Sequence, residues 1–295
     1  MPANASIAIA CYNQGRFLGQ AIRSCLEQTS RPREILVVDD GSSDDTREVA
    51  EGFPEVRYVH QPNAGLSAAR NTGLALATTP RILFLDADDW LTPEALAAAM
   101  QAMDAAPSPL AFVYGSYQEV DESGAVAATH LARNREDAFR ELLRGNHIAM
   151  HGTVLYNAAI LRASGGFDTD LRSCEDYDVY LRLVRDHPIA AYPAVAACYR
   201  RHDETLSRDR FSMIGAVLKV LDRHGSGSPG DRAALREGRA LMMDYYARQL
   251  VADLRRDRAR AVRAMLASSI RRPRVAAQLL RWAIARSARA VTITG

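Results

Sequence analysis

Four short strand-like runs, each ending in a polar turn and each but the last followed directly by a helical pattern, constrain this chain more than any other feature. "SIAIA" (6–10), "EILVV" (34–38), "VRYVH" (56–60) and "RILFL" (81–85) are rich in β-branched and apolar residues. Between them lie helical patterns. "FLGQAIRSCLEQ" carries Leu18, Ile22, Cys25 and Leu26 at helical spacing, "DDTREVAEGF" reads as a short helix, and "GLSAARNTGLALA" (65–77) as a longer one. "PEALAAAMQAM" continues the alternation beyond the fourth run. Such an order predicts parallel strands joined by helical crossovers, with helices on both faces of the sheet. Strands buried on both sides need no polar face, which fits these runs.

Ligands of such sheets bind outside the carboxyl ends of the strands. The residues that follow the four strands are "CYNQG", "DDGSSDD", "QPNAG" and "DADDW". All four exits are polar and two are doubly acidic. Asp favours turns, which accounts for any one exit. Acidic clusters crowded at one sheet edge repel each other unless something cationic sits there. On an extended chain Asp86 and Asp88 point the same way, which sharpens the question.

Beyond residue 105 the order changes. "LAFVYGSYQEV" and "GTVLYN" read as strands separated by a polar stretch. "EDYDVYLRLVRDH" (175–187) reads as a helix with a stripe of Tyr177, Tyr180, Leu181 and Val184, and "AAYPAVAACYRRH" (190–202) as extended chain. From about Phe211 the pattern is helical, broken by "GSGSPG" (225–230). The expected division is an α/β domain over 1–210, with halves of about 1–105 and 106–210, and a helical extension over 211–295.

Composition excludes little. The chain is 48% hydrophobic with a formal net charge of +2, so bulk charge selects no partner. Cys11, Cys25, Cys174 and Cys198 lie far apart with no Cys-x-x-Cys pair, which points to reduced core thiols in a cytoplasmic protein. No signal peptide is expected at the N-terminus, and no apolar run reaches the roughly 20 residues that span a bilayer. No nucleic-acid motif stands out.

Five stretches, "ACYNQGRFLGQAIRSCLEQT", "EILVVDDGSSDDT", "NAGLSAARNTGL", "FLDADDW" and "EDYDVYLRL", resemble the family 2 glycosyltransferases of the GT-A fold, in the family's order and spacing from about Ser6 to Ser207. The resemblance implies an inverting transfer of a sugar from a nucleoside diphosphate to an acceptor hydroxyl. It implies Mg²⁺ or Mn²⁺ as cofactor, because a hard divalent cation neutralises the departing diphosphate and prefers carboxylate oxygens. The family's Asp-x-Asp motif maps onto Asp86 and Asp88. Asp88 is then the direct metal ligand, and Asp86 faces sugar, ribose or metal-bound water. Asp89 orients a loop or the sugar; the alternative is a cap for the helix starting near Pro93. Tyr12 matches the residue that packs on uracil, and Asp40 the one that accepts the base's imide N–H, so a UDP- or dTDP-sugar is the expected donor. Asp39 is left to brace loops. Ala10, Asn13, Asn63 and Glu175 complete the expected substrate contacts. Arg70 reaches the diphosphate, braces the aspartates or forms an ordinary salt bridge.

Asp176 matches the family's catalytic base. Its place in a helix's first turn predicts a lowered pKa and an ionised carboxylate at neutral pH. Asp178 is solvated or pairs with Arg182. His202 matches a histidine near the metal or diphosphate, Arg200 or Arg201 is suited to clamp phosphate, and Gly165 and Gly166 resemble a turn whose bare backbone approaches the sugar. The acceptor is a saccharide or lipid-linked saccharide of bacterial surface polysaccharide, glycolipid or glycoconjugate synthesis.

Between Arg248 and Arg289 there are twelve arginines and two aspartates. "RVAAQLLRWAIARSAR" puts Val275, Leu279, Trp282 and Ala283 on an imperfect apolar stripe. This allows either adsorption to an anionic inner leaflet or packing as a helical subdomain. A sugar-phosphate nucleotidyltransferase shares the sheet but normally uses a basic glycine-rich first loop and a lysine near the phosphates; Lys219, the only lysine, lies in the tail. A phospho-receiver also needs a lysine late in the sheet. A non-catalytic sugar-binding relic would not require Asp86, Asp88 and Asp176 together.

Overall fold

The computed structural model describes residues 3–121, 124–202, 210–225 and 227–256, together with 262, 273 and 276–282. Two compact units form: one from Met1–Ala138 and Ile148–His202, the other from Phe139–His147 and Asp203–Gly295.

The first unit is built on a nine-stranded sheet. Its first part is the expected parallel array. β1 (Ala3–Cys11) lies between β2 (Pro32–Asp39) and β4 (Arg81–Asp86), and β3 (Arg57–His60) extends the edge beyond β2. Helices α1 (Gly15–Leu26), α2 (Thr46–Glu51) and α3 (Leu66–Leu76) make the crossovers, and α4 (Ala95–Asp104) follows β4. The register aligns the exits. Cys11 pairs with Asp39, Asp39 with His60, and Ala10 with Asp86, so all four strands end side by side. α3 sits close on this sheet because Gly73 carries no side chain; a Cβ there would stand 2.8 Å from that of Ala8.

The sheet continues through β8 (Val154–Asn157), β6 (Phe112–Val120), β9 (Ile189–Arg200) and β5 (Trp90–Leu91), with β7 (Val126–His130) on β6. β8 is antiparallel to both β4 and β6, whereas β6 and β9 run parallel. β5 and β7 do not announce themselves in the sequence. β5 has two residues, too few for any period, and four of β7's five residues are exposed. α6 (Ala158–Ala163) starts under an Asn157 cap, and α7 (Glu175–Asp186) buries Tyr177, Tyr180 and Leu181 as its stripe predicts. Under α7, Phe84, Phe112, His151, Tyr156, Phe167 and Tyr180 form one aromatic cluster.

The second unit holds α8 (Arg210–His224) and α9 (Pro229–Arg256), separated at the glycine- and serine-rich break. α8 buries Phe211, Ile214, Val217 and Leu221. This unit also takes most of α5 (Ala138–Arg144), which the sequence division had placed in the α/β domain. Arg140 Nε donates to Asp231 at 2.9 Å and Arg144 Nε to Glu237 at 2.7 Å. These partners lie more than 90 positions apart, beyond any local pattern. In the basic tail Leu279 is buried and Trp282 exposed, so the stripe does not form a single face; Val275 and Ala283 lie outside the described residues. Among the described residues no helix is long and apolar enough to cross a membrane. The four cysteines are free thiols, and all but Cys174 are buried.

Candidate active site

β4 leaves the sheet at Asp86 and turns sharply, with Asp89 N–H donating to the Asp86 carbonyl at 3.1 Å. The pair Asp86 and Asp88 is therefore presented by a turn and not, as expected, by the alternation of an extended chain. The two side chains take different partners. Asp86 accepts from Arg70 Nη2 at 2.7 Å and keeps 35% of its side-chain surface open. Asp88 Oδ2 lies 2.9 Å from His202 Nε2. Burial and the charge of Asp86 push the Asp88 carboxyl up.

Arg70 joins the donor half to the acceptor half. Its Nη1 donates to Glu175 at 2.6 Å while Nη2 holds Asp86. Burial opposes its charge, but Asp86, Glu175 and Asp176 outweigh burial and raise its pKa. The structure shows Arg70 in two ion pairs, with Asp86 and with Glu175. Its Nε is buried with no hydrogen-bond partner among the described residues, so the two carboxylates carry the burial of this cation, and removing either is costly.

Asp176 follows Glu175 in the first turn of α7, half-buried, with its Oδ1 accepting from Tyr177 N–H at 2.7 Å. The expected lowering of its pKa is overturned. Burial, then the adjacent Glu175, push it up to about 7, against the pull of Arg70. The helix N-terminus is the weaker influence because it acts over one turn, whereas desolvation penalises the charge itself. The residue before this pair, Cys174, holds a left-handed backbone (φ 61°), which sets the angle at which α7 begins. Asp178 pairs with Arg182 at 2.8 Å.

The second exit is braced from within. Asp39 accepts from Ser42 N–H at 2.8 Å and the Tyr58 hydroxyl at 2.6 Å. Burial acts against its charge, but those hydrogen bonds prevail and its pKa falls. Asp40 is buried and engaged: Gln61 Nε2 and Ala64 N–H reach one oxygen, and Gly65 N–H the other. It thus ties the second exit to the third, and a base N–H would have to share its Oδ2. Asn13, left-handed at φ 53°, accepts from Ser43 N–H at 2.8 Å and ties the first exit to the second. Tyr12 is 50% exposed, open to stack on a planar group. Ala10 is buried at the end of β1, and Asn63 is exposed on the loop after β3.

Three further residues take protein partners. Asp89 caps no helix. It is buried, and its Oδ1 accepts from Arg200 N–H at 2.9 Å, linking the β4 turn to the end of β9. Arg200 Nε donates to the Asp88 carbonyl at 3.0 Å and its Nη2 to Gln20, while Arg201 pairs with Glu119 at 3.0 Å. At Gly166 a Cβ would stand 2.5 Å from Asn71 Oδ1, whereas one at Gly165 would meet nothing within 4 Å. Asn71 in turn holds both the N–H and the carbonyl of Phe167 at 2.8 Å.

Phe17 was missed by the sequence reading, although its ring stands 5.1 Å from that of His202. An aromatic residue at the start of an amphipathic helix carries no signal that separates site from core. Among the described residues no three His, Cys, Asp or Glu side chains gather into a metal cluster. Asp88 and His202 make a converging pair, which fits a divalent ion held by one or two protein ligands with substrate phosphates completing the shell.

A family model described as Glycosyl transferase family 2 matches residues 6–165, more than half of the chain. Chondroitin synthase of Escherichia coli is 31% identical over 208 residues, which is 68% of this chain and 29% of that protein. The chain thus spans less than a third of that relative. Among solved structures, S. aureus TarS 1–349 in complex with UDP-GlcNAc superposes with a TM-score of 0.61 at 19% identity, covering 86% of this chain and 73% of that one. Mannosyltransferase PcManGT from Pyrobaculum calidifontis, in complex with GDP-Man and Mn²⁺, gives 0.60 at 20% identity over 96% of this chain and 87% of that one. Both likenesses are of fold.

Proposed function

This chain belongs to the family 2 glycosyltransferases, and from that premise we propose that it moves a sugar, with inversion, from a UDP- or dTDP-sugar to an acceptor hydroxyl. The observation that carries the reading is Arg70, which holds Asp86 of the donor side and Glu175 of the acceptor side in one cluster beside Asp176. Asp86 and the adjacent pair Glu175–Asp176, far apart in sequence, meet where a donor diphosphate and an acceptor hydroxyl would have to meet.

The chemistry follows from the residues. The acceptor oxygen attacks the anomeric carbon from the face opposite the diphosphate, and its proton passes to Asp176. The bond from that carbon to the diphosphate oxygen breaks with its electron pair. A base whose pKa lies near neutrality is well matched to this transfer. Asp88 and His202 would hold a divalent ion, Mg²⁺ or Mn²⁺, whose contribution there is Lewis-acid neutralisation of the diphosphate. Asp86, fixed on one oxygen by Arg70, has its open surface for ribose or sugar hydroxyls.

Both similar solved structures hold a nucleotide sugar, one of uridine and one of guanosine, so the base preference rests on Tyr12 and Asp40. Asp40→Asn weakens UDP binding by about 1.5–3 kcal/mol, the range for a hydrogen bond to a charged group. Calorimetry with UDP, dTDP and GDP checks this; tighter binding of GDP would refute the assignment. Hydrolysis of a panel of nucleotide sugars without acceptor tests the reading as a whole.

The acceptor is a saccharide or a lipid-linked saccharide, in keeping with surface polysaccharide, glycolipid or glycoconjugate synthesis on the cytoplasmic side. The arginine-rich tail then serves as a peripheral contact with anionic lipid. Truncation after Gly225 lowers co-sedimentation with anionic liposomes at low salt. A full-length protein that ignores such liposomes removes this part of the proposal.

A further inference from the structure

The end of β9 delivers Arg200 and His202 two positions apart, and both take hold of Asp88. His202 Nε2 meets its carboxylate at 2.9 Å, and Arg200 Nε meets its peptide carbonyl at 3.0 Å. Arg200 has further anchors. Its own N–H donates to Asp89 Oδ1 at 2.9 Å, and Nη2 donates to Gln20 on α1. The guanidinium carbon lies 4.6 Å from the centre of the Trp90 ring and 4.9 Å from that of Phe17. Only 8% of Arg200 is exposed. Phe17 also neighbours the His202 ring, so one aromatic side chain supports both groups that grip Asp88.

This arrangement uses what arginine has and lysine lacks. A planar fork can donate along two directions in its plane while aromatic rings contact it. Here Nε and Nη2 are spent on a backbone carbonyl and a side-chain amide, both fixed parts of the protein. A phosphate clamp would keep those donors for the ligand. The turn from Asp86 to Asp89 has one backbone bond across it, and its outgoing strand β5 is only two residues long. The turn therefore needs an outside support to hold two repelling carboxylates in place.

We propose that Arg200 is a positioning residue, which fixes the Asp86–Asp89 turn and so presents Asp88 and His202 to the ion and diphosphate without itself binding phosphate. The ion in this statement rests on the function proposed above; the grip on the turn does not.

The test uses the full chain and Arg200→Lys, with Gln20→Ala as a second variant. Gln20 is exposed, and its loss removes one of Arg200's anchors without touching the core. Hydrogen exchange across residues 86–91 should rise about tenfold or more in Arg200→Lys, because local opening follows lost tertiary contacts. It should rise in the same direction, by less, in Gln20→Ala. UDP affinity measured in EDTA should stay within about twofold, a small fraction of the tenfold that corresponds to one lost strong contact. Mn²⁺ affinity in the presence of UDP should fall by about 10- to 100-fold, as for other residues that orient metal ligands. Unchanged exchange over 86–91 overturns the proposal. So does a loss of UDP affinity in EDTA beyond about fivefold, which would make Arg200 a phosphate ligand. Wild-type protein that binds no Mn²⁺ with UDP refutes the ion reading, while the exchange and EDTA arms still decide for or against Arg200.

Discussion

Asp176→Asn lowers transfer by roughly two to four orders of magnitude, the usual worth of general-base catalysis, and leaves UDP affinity within about threefold. The substitution keeps the side chain's shape and removes its ability to take the acceptor proton. The proposed donor contacts lie at the exits of β1 to β4, while Asp176 stands on α7, so binding and chemistry should separate. The pH dependence is equally specific. Burial and Glu175 raise the folded pKa to about 7 from a model-compound value of 3.8. With Asp176 as base, wild-type turnover is expected to fall as pH drops through about 7. Stability has the opposite sign. Between the two pKa values the folded chain binds more protons at this group than the unfolded chain does, so the group's contribution declines as pH rises through that window. Asp176→Asn removes the titrating group. Its melting temperature should exceed that of wild type above neutrality, and the gap should close below about pH 4, near the reference carboxylate pKa. Retention of more than about a tenth of wild-type transfer, far above the general-base range, would leave Asp176 as a helix-start residue. Glu175 or Asp178 would then be the next candidates.

Chelation by EDTA is expected to abolish turnover, and Mn²⁺ or Mg²⁺ to restore it. Lewis-acid neutralisation of a departing diphosphate is worth several kcal/mol, or roughly two to three orders of magnitude at tenfold per 1.36 kcal/mol. The expectation rests on Asp88 and His202, which lie 2.9 Å apart, and on Asp86, whose charge disfavours an uncompensated carboxylate at Asp88. Asp88→Asn should lower UDP affinity measured with Mn²⁺ and leave affinity measured in EDTA nearly unchanged. Comparing the two titrations separates a metal ligand from a residue that touches nucleotide. Full turnover in EDTA would end the metal reading.

Much of the site was legible because strand exits are local. A run such as "RILFL" followed by "DADDW" shows both the strand and the carboxylates at its end, and parallel pairing puts Asp39, Ala10 and Asp86 on one edge. The stripe of α7 was visible for the same reason: helical period is written in neighbouring residues. β5 and β7 were not visible, since one is too short to show a period and the other is an exposed edge strand. The membership of α5 in the helical unit was hidden too, because it depends on Asp231 and Glu237.

What the sequence determined by itself is the set of chemical groups and the edge where they collect. What only the tertiary structure decided is each group's partner, and with it each group's role. Arg70 meets Glu175 across 105 positions, Arg200 meets Asp89 across 111, and His202 meets Asp88 across 114. These pairings give Arg70, Arg200 and His202 partners that no local pattern in the sequence records. The pKa of Asp176 shows the reason most directly. From sequence, the one visible influence was the helix start, which favours ionisation. Burial, which opposes it, comes from packing that no local pattern records, and burial is the stronger force.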